Sequence, residues 1–159
     1  MPMPRRALAI GLTALAVAIR PERAFAAGAF EVSRSDEEWR RRLTVKQYAV
    51  LRRNGTERPY SSALNEEHRR GTFFCVGCDR PLFSSDAKFE SGTGWPSFWT
   101  PLRDAIGTDE DRSYGMVRVA VHCAGCGGHL GHVFDDGPRP TGLRYCMNGV
   151  ALYFRAADA

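Results

Sequence analysis

The chain has 159 residues, enough for one domain with its own core and too few for two. With 43% hydrophobic and 25% charged residues it has the composition of a folded globular chain, which excludes a low-complexity or disordered protein. The net charge of +4 is a poor nucleic-acid signal: residues 1–26 carry four arginines and one glutamate, a balance of +3, so only +1 is left for residues 27–159.

Residues 1–26 read as a secretory signal peptide. Arg5-Arg6 is a positive start, residues 7–19 are uncharged and mostly apolar, and Ala24-Phe25-Ala26 is a small-x-small cleavage site. The apolar run is short for a membrane span. The adjacent arginines fit a twin-arginine signal as well as an ordinary one, although Arg20, Glu22 and Arg23 make the segment before cleavage unusually charged. The expectation is an exported protein in a bacterial periplasm, with no stable membrane association after cleavage. Residues 27–35 read as a linker and 36–156 as the folded domain.

Ser35 followed by Asp36-Glu37-Glu38, with Trp39 and Leu43 at helical spacing, predicts a helix near 36–42. Thr44 predicts the cap of a second helix through Tyr48, Val50 and Leu51, closed by Asn54-Gly55. Residues 64–71 read as a loop or short turn. Beyond Gly71 the pattern changes to short strands between turns, over 72–76, 80–83, 116–123, 130–134, 143–147 and 150–154. The 16 glycines and 9 prolines suit such a chain. The fold class is therefore mostly β with helices at the front.

Four of the five cysteines form two Cys-x-x-Cys pairs, Cys75/Cys78 and Cys123/Cys126. Each pair reads as a knuckle, with Gly77 within the first turn, Gly125 within the second and Gly127 and Gly128 after it, glycine serving where backbone φ is positive, and the two together hold the four thiolates of a structural zinc site. Disulfides, a redox dithiol, or His129 or His132 replacing a thiolate are the competing assignments. The fifth, Cys146, has no partner. Arg144 and Asn148 flank it at two-residue spacing, the same face of a strand, where a guanidinium favours thiolate and an amide can hold a polar substrate atom. His129-x-x-His132 supplies two groups able to deliver protons. A buried, inert cysteine is the plain alternative. The stretch from Glu90 to Trp99 sets two glycines around Thr93 and two tryptophans after it, a packed turn or an aromatic pocket for a small apolar group.

Taken together, Ser91-Gly92-x-Gly94-Trp95-Pro96-Ser97-Phe98, Gly128-His129-Leu130-Gly131-His132-Val133-Phe134 and Arg144-Tyr145-Cys146-x-Asn148 resemble the signatures of the B-type peptide-methionine (R)-S-oxide reductases, and both knuckles match the zinc-containing members. The resemblance implies an antiparallel two-sheet barrel or tent-like core with short N-terminal helices, and one structural Zn2+ held by Cys75, Cys78, Cys123 and Cys126. It makes Cys146 the nucleophile toward the sulfoxide sulfur. His129 and His132 would bind or protonate the sulfoxide oxygen, Asn148 would hold the site and Arg144 would favour the thiolate. Trp95 would pack on the substrate methyl, with Phe134 beside it. Substrates would be oxidised proteins carrying methionine-R-sulfoxide.

The chain departs from the pattern at Thr93, where many members carry a resolving cysteine. With four cysteines on zinc, no second thiol remains for a Cys146 sulfenic acid, so its reductant is expected to be a thioredoxin-like protein or a small-molecule thiol. A non-catalytic zinc-stabilised β binding module and a zinc-thiolate redox sensor are the other readings. A nucleic-acid-binding zinc module is disfavoured by the charge.

Overall fold

The computed structural model describes residues 30–158; the signal expected over 1–26 lies outside them. Helix α1 (Asp36–Arg42) begins where Ser35 accepts the Glu38 N–H while the Glu38 carboxylate takes back the Ser35 N–H. Acidic residues fill its first turn and three arginines its last, matching the helix dipole. Helix α2 (Val45–Arg53) starts the same way, on Thr44 and Gln47. It closes on Asn54 itself, which takes the left-handed conformation at φ 53°. Trp39, Tyr48, Val50 and Leu51 are the buried side chains of this pair.

Nine strands follow, all paired antiparallel. A three-stranded sheet runs β2 (Pro81–Ser84), β1 (Gly71–Cys75), β9 (Leu152–Ala156). A six-stranded sheet runs β3 (Lys88–Phe89), β4 (Ser97–Phe98), β8 (Arg144–Met147), β7 (His129–Phe134), β6 (Arg118–Cys123), β5 (Ile106–Asp111). The sheets meet through aromatic rings. Phe73 of β1 and Phe83 of β2 both pack on Phe98 of β4, edge-on at 4.9 Å and stacked at 4.3 Å. Leu82, Val121, Leu130 and Met147 fill the remaining space.

The two helices and the mostly β, two-sheet architecture match the expectation. Four details differ, each for a physical reason. Strand β5 was not foreseen: Ile-Gly-Thr-Asp-Glu-Asp has little strand propensity, and it forms as an edge strand on the valine-rich β6. The short β4 lies within the stretch from Glu90 to Trp99 that reads as a packed turn and β3 just before it; both are two-residue strands that form by pairing, β3 on β4 and β4 on β8. Residues 149–151 make a 3-10 turn rather than the start of the last strand, because the Gly149 and Val150 N–H groups donate to the Glu57 carboxylate instead of a ladder. Residues 30–35, expected as part of a linker, lie against the second knuckle: Val32 N–H donates to the Gly125 carbonyl at 2.8 Å, and Phe30 meets the His122 ring edge-on. Residues 64–71 overlap a single 3-10 turn, Ala63–Glu66, and are otherwise irregular up to Gly71, which already starts β1. No helix among the described residues is long and apolar enough to cross a membrane.

Phe98 bridges the sheets with no exposed surface. Phe98→Ala should lower unfolding free energy by about 3–5 kcal/mol, read from the urea midpoint at unchanged slope.

Candidate functional site

The two knuckles are built alike. Cys75 ends β1 and Cys123 ends β6. In each, the residue after the second cysteine turns back to the first: Asp79 N–H donates to the Cys75 carbonyl at 2.9 Å, Gly127 N–H to the Cys123 carbonyl at 2.8 Å. That residue carries the positive φ, 61° at Asp79 and 66° at Gly127. Of the knuckle glycines, Gly127 takes the positive φ, whereas Gly77 and Gly125 do not. Space is tight at Gly125, where an added Cβ would sit 3.1 Å from the Arg80 side chain and 3.2 Å from Cys78 Sγ.

All four sulfurs fall within 4.8 Å of one another, with Cys75–Cys126 at 3.7 Å and Cys78–Cys123 at 3.5 Å. A tetrahedron with metal–sulfur bonds near 2.3 Å has edges of about 3.8 Å, so the cluster is already shaped for one metal ion. Histidine is not part of the group. The cluster joins β1 of one sheet to β6 of the other, and Arg52 of α2 donates to the Cys126 carbonyl at 3.1 Å.

Cys146 lies on β8, inside the six-stranded sheet. In the β4–β8 register it faces Ser97, and in the β7–β8 register it faces His132. Directly opposed residues of antiparallel strands share a face, so Cys146, His132 and Ser97 form one row. The next row holds Arg144 opposite Phe134, with the guanidinium 4.5 Å over the ring. Arg144 is also held by Asp136, at 2.8 and 2.7 Å. Arg144 pulls toward the thiolate, but it is outweighed. Burial pushes the Cys146 thiol up, and the opposing pull of Thr93, Arg144 and Ser97 does not overcome it.

His132 is held by Asp111 of β5, Nε2 to Oδ2 at 2.8 Å, and the same oxygen accepts from Arg118 of β6 at 2.6 Å. The Ser113 hydroxyl and N–H, His132 and Arg118 hold the Asp111 carboxyl well below the usual carboxylate range. His129 is different. Only 5% exposed, its Nε2 is buried with no partner among the described residues. Burial lowers its pKa to about 4, so it is neutral at pH 7.

Asn148, 3% exposed, does less for a substrate than expected. Its Oδ1 accepts the Glu57 N–H at 2.9 Å, and its Nδ2 donates to the Leu130 carbonyl at 3.0 Å. Glu57 is a hub: its carbonyl takes the Trp95 indole N–H at 3.2 Å and its carboxylate the 149–150 backbone. Trp95 is thus aimed by the segment after α2. The loop before it is bent at Gly94, φ 89°, whose backbone lies so close to Pro59 and Tyr60 that a Cβ would meet both at 2.8 Å.

One pocket of about 120 Å³ collects Trp95, His132, Phe134, Cys146 and Asn148, together with Thr56, Gly131 and Arg118. A thioether-sized group fills such a space. His129 lines not this pocket but the larger cleft beside it, of about 850 Å³, which shares His132, Arg118 and Thr56 as its wall. Asp111, Glu57 and Arg118 were not singled out from the sequence. None has a motif: Asp111 sits in an acidic run on a strand of low propensity, and Glu57 in a loop. The arrangement offers a half-buried thiol, a carboxylate-held histidine, a neutral histidine and an apolar wall, which suits nucleophilic attack at a soft centre with proton delivery beside it.

A family model described as the SelR domain matches residues 43–156. A peptide methionine sulfoxide reductase MsrB of Leptospira interrogans is 52% identical over 127 residues, 79% of this chain and 97% of that protein. The protein of that name from Bradyrhizobium diazoefficiens is 56% identical over 123 residues, covering 77% and 88%, and the one from Methanosarcina barkeri 53% over 128 residues, covering 80% and 90%.

Two outcomes are expected. Stripping the metal with a chelator, or Cys123→Ser, should lower the melting temperature by at least about 10 °C by calorimetry. For His129 the folded pKa lies below the unfolded value, so the unfolded chain binds the extra proton as pH falls between about 6.5 and 4. Stability should decline across that window, and His129→Asn should flatten that part of the urea-midpoint profile against pH.

Proposed function

The chain belongs to the SelR-domain family of peptide methionine sulfoxide reductases, and on that premise we propose that Cys146 reduces the R epimer of methionine sulfoxide, chiefly within oxidised proteins. The observation that supports this most is the pair of strand registers setting Cys146 across from His132 within one pocket with Trp95 and Phe134.

The sulfoxide methyl rests against the Trp95 indole, and Phe134 under Arg144 closes the side of the pocket. His132 gives a proton to the sulfoxide oxygen, and Asp111 balances the charge the ring carries as it does so. His129, neutral and with a free ring nitrogen, hydrogen-bonds the oxygen or a water on the cleft side. Asn148 and Glu57 act at one remove, fixing Trp95 and the turn after β8. Protonation makes the sulfur electrophilic, and the Cys146 thiolate attacks. Oxygen passes to the cysteine, leaving methionine reduced by two electrons and Cys146 as the sulfenic acid.

No resolving thiol stands nearby: Thr93 occupies the neighbouring position, Oγ1 at 3.9 Å from Cys146 Sγ. An external thiol therefore attacks the sulfenic acid with loss of water, and a second thiol frees Cys146 from the mixed disulfide. A thioredoxin-like protein or a small-molecule thiol fits this step. The metal is Zn2+, by the preference of four thiolates in a tetrahedral site. Cys75, Cys78, Cys123 and Cys126 hold it, and it takes no part in the chemistry, since a closed four-thiolate shell offers no open position. Export directed by residues 1–26 to a bacterial periplasm completes the reading. It is supported by the arrangement of charges and apolar residues there and by the start of the family match at residue 43. A twin-arginine route, which carries folded protein, would let the thiolates bind metal before meeting an oxidising compartment.

Cys146→Ser should lose at least about 10³-fold in R-epimer turnover with dithiothreitol, with metal content unchanged. One equivalent of sulfoxide should leave a trappable sulfenic acid at Cys146 in the wild type. A mapped disulfide from Cys146 to any of the other four cysteines would sink the scheme.

A further inference from the structure

Three hydroxyls run in single file from Cys146 into the protein. Thr93 Oγ1 lies 3.9 Å from Cys146 Sγ, Ser91 Oγ 2.8 Å from Thr93 Oγ1, and Ser97 Oγ 2.7 Å from Ser91 Oγ. The file ends at the Trp95 carbonyl, 3.1 Å from Ser97 Oγ. Ser97, 1% exposed, is fixed by its place in β4 opposite Cys146. The loop carrying Ser91 and Thr93 is pinned where Tyr60 donates its hydroxyl to the Gly92 carbonyl and its N–H to the Gly94 carbonyl, at 2.7 and 2.6 Å.

Each hydroxyl has one hydrogen and donates once. The file therefore has two self-consistent directions. When Cys146 is a thiol, its S–H donates to Thr93, Thr93 to Ser91, Ser91 to Ser97, and Ser97 to the Trp95 carbonyl. A thiolate has no hydrogen to give. Every bond then reverses: Ser97 donates to Ser91, Ser91 to Thr93, and Thr93 to the sulfur, while the Trp95 carbonyl loses its donor. We propose that this file is a reversible hydrogen-bond relay that turns with the ionisation of Cys146, with Thr93 as the catalytic donor to the thiolate and Ser91 and Ser97 as positioning residues. The proposal rests on the reading of Cys146 as the nucleophile. No proton travels along the file; each hydroxyl hydrogen rotates, and the thiol proton leaves through the pocket.

The relay answers a difficulty in the site. Burial disfavours the charged sulfur more than Thr93, Arg144 and Ser97 together favour it, and Arg144 divides its pull between the sulfur and Asp136. A donor polarised by two further hydroxyls behind it offers a half-buried anion more than a lone hydroxyl does. It also links the state of the sulfur to the backbone of Trp95, the residue whose ring walls the pocket.

The other charged and titratable groups facing this region are Arg144 and Asp136, His132 on β7, Arg118 on β6, Asp111 on β5, Glu57 beneath Trp95 and Glu90 before the glycine loop, whose carboxylate accepts the Gly92 N–H. Replacement of Thr93 leaves all of them in place. The test is the pH dependence of iodoacetamide alkylation of metal-loaded full-length protein, quantified on the peptide that contains Cys146 so that the other four cysteines do not contribute. Thr93→Val, of the same shape without the hydroxyl, should move the alkylation midpoint up by about one pH unit, and Thr93→Ser should restore it. Thr93→Ala should match Thr93→Val, and serves if the valine variant melts early. An unmoved midpoint in the valine and alanine variants, or no recovery in the serine variant, overturns the relay. The assay needs no turnover, so the two failures separate. A Thr93-dependent midpoint in a protein inert toward the R sulfoxide would remove the enzymatic reading alone. An active protein whose midpoint ignores Thr93 would remove the relay alone.

Discussion

Strand β8 is hydrogen-bonded along both edges, and the site depends on the register of those two ladders. Along Arg144-Tyr145-Cys146-Met147 the side chains alternate. Arg144 and Cys146 face the pocket side, while Tyr145 packs toward Phe83 and Met147 is fully buried. A slip of one residue against β7 or β4 would exchange these sets, sending the thiol into the aromatic core and a tyrosine into the pocket. The register is enforced from both faces: by the Phe73, Phe83 and Phe98 rings on one, and by Arg144 on Phe134 with Asp136 on the other. The four-sulfur cluster then fixes where the whole six-stranded sheet sits against the smaller one, since each sheet contributes one knuckle.

Within that frame the electrostatics are restrained. Around the thiol stand one carboxylate–histidine pair and one arginine bonded to an aspartate, and the cleft beside the pocket holds one histidine kept uncharged by burial. Short-range donors therefore matter more to the sulfur than net charge does. This is also why the apolar wall and the proton donors coexist in so small a volume: few solvated ions compete for it.

Much of this was readable before any coordinates. The Cys-x-x-Cys pairs announce themselves by spacing, and Cys146 stands out as the sulfur left over. Ser35 and Thr44 mark the helix starts because capping is a local matter. What stayed hidden is what depends on distant partners. Asp111 lies in a strand that exists only because β6 lies beside it. Glu57 has no motif, yet it joins Trp95 to Asn148 across the fold. The two-residue spacing brings Asn148 and Arg144 near the thiol, but it does not disclose their other partners: the Leu130 carbonyl and Glu57 N–H for Asn148, and Asp136 for Arg144. The spacing of the knuckle glycines does not tell which one bends the chain: Gly127 takes the positive φ, and in the first knuckle Asp79 does so instead of a glycine.

The unequal burial of the five sulfurs makes them a gauge. Cys75, Cys123 and Cys126 are sealed in the core, whereas Cys78 and Cys146 keep some surface. A metal ion held by the four sulfurs would cover Cys78 and leave Cys146 as the thiol open to a reagent. With metal lost, Cys78 answers too, and lies 3.5 Å from Cys123, near enough for oxidation to join them. A count of accessible thiols in a preparation thus reports its metal content as well as the state of its nucleophile.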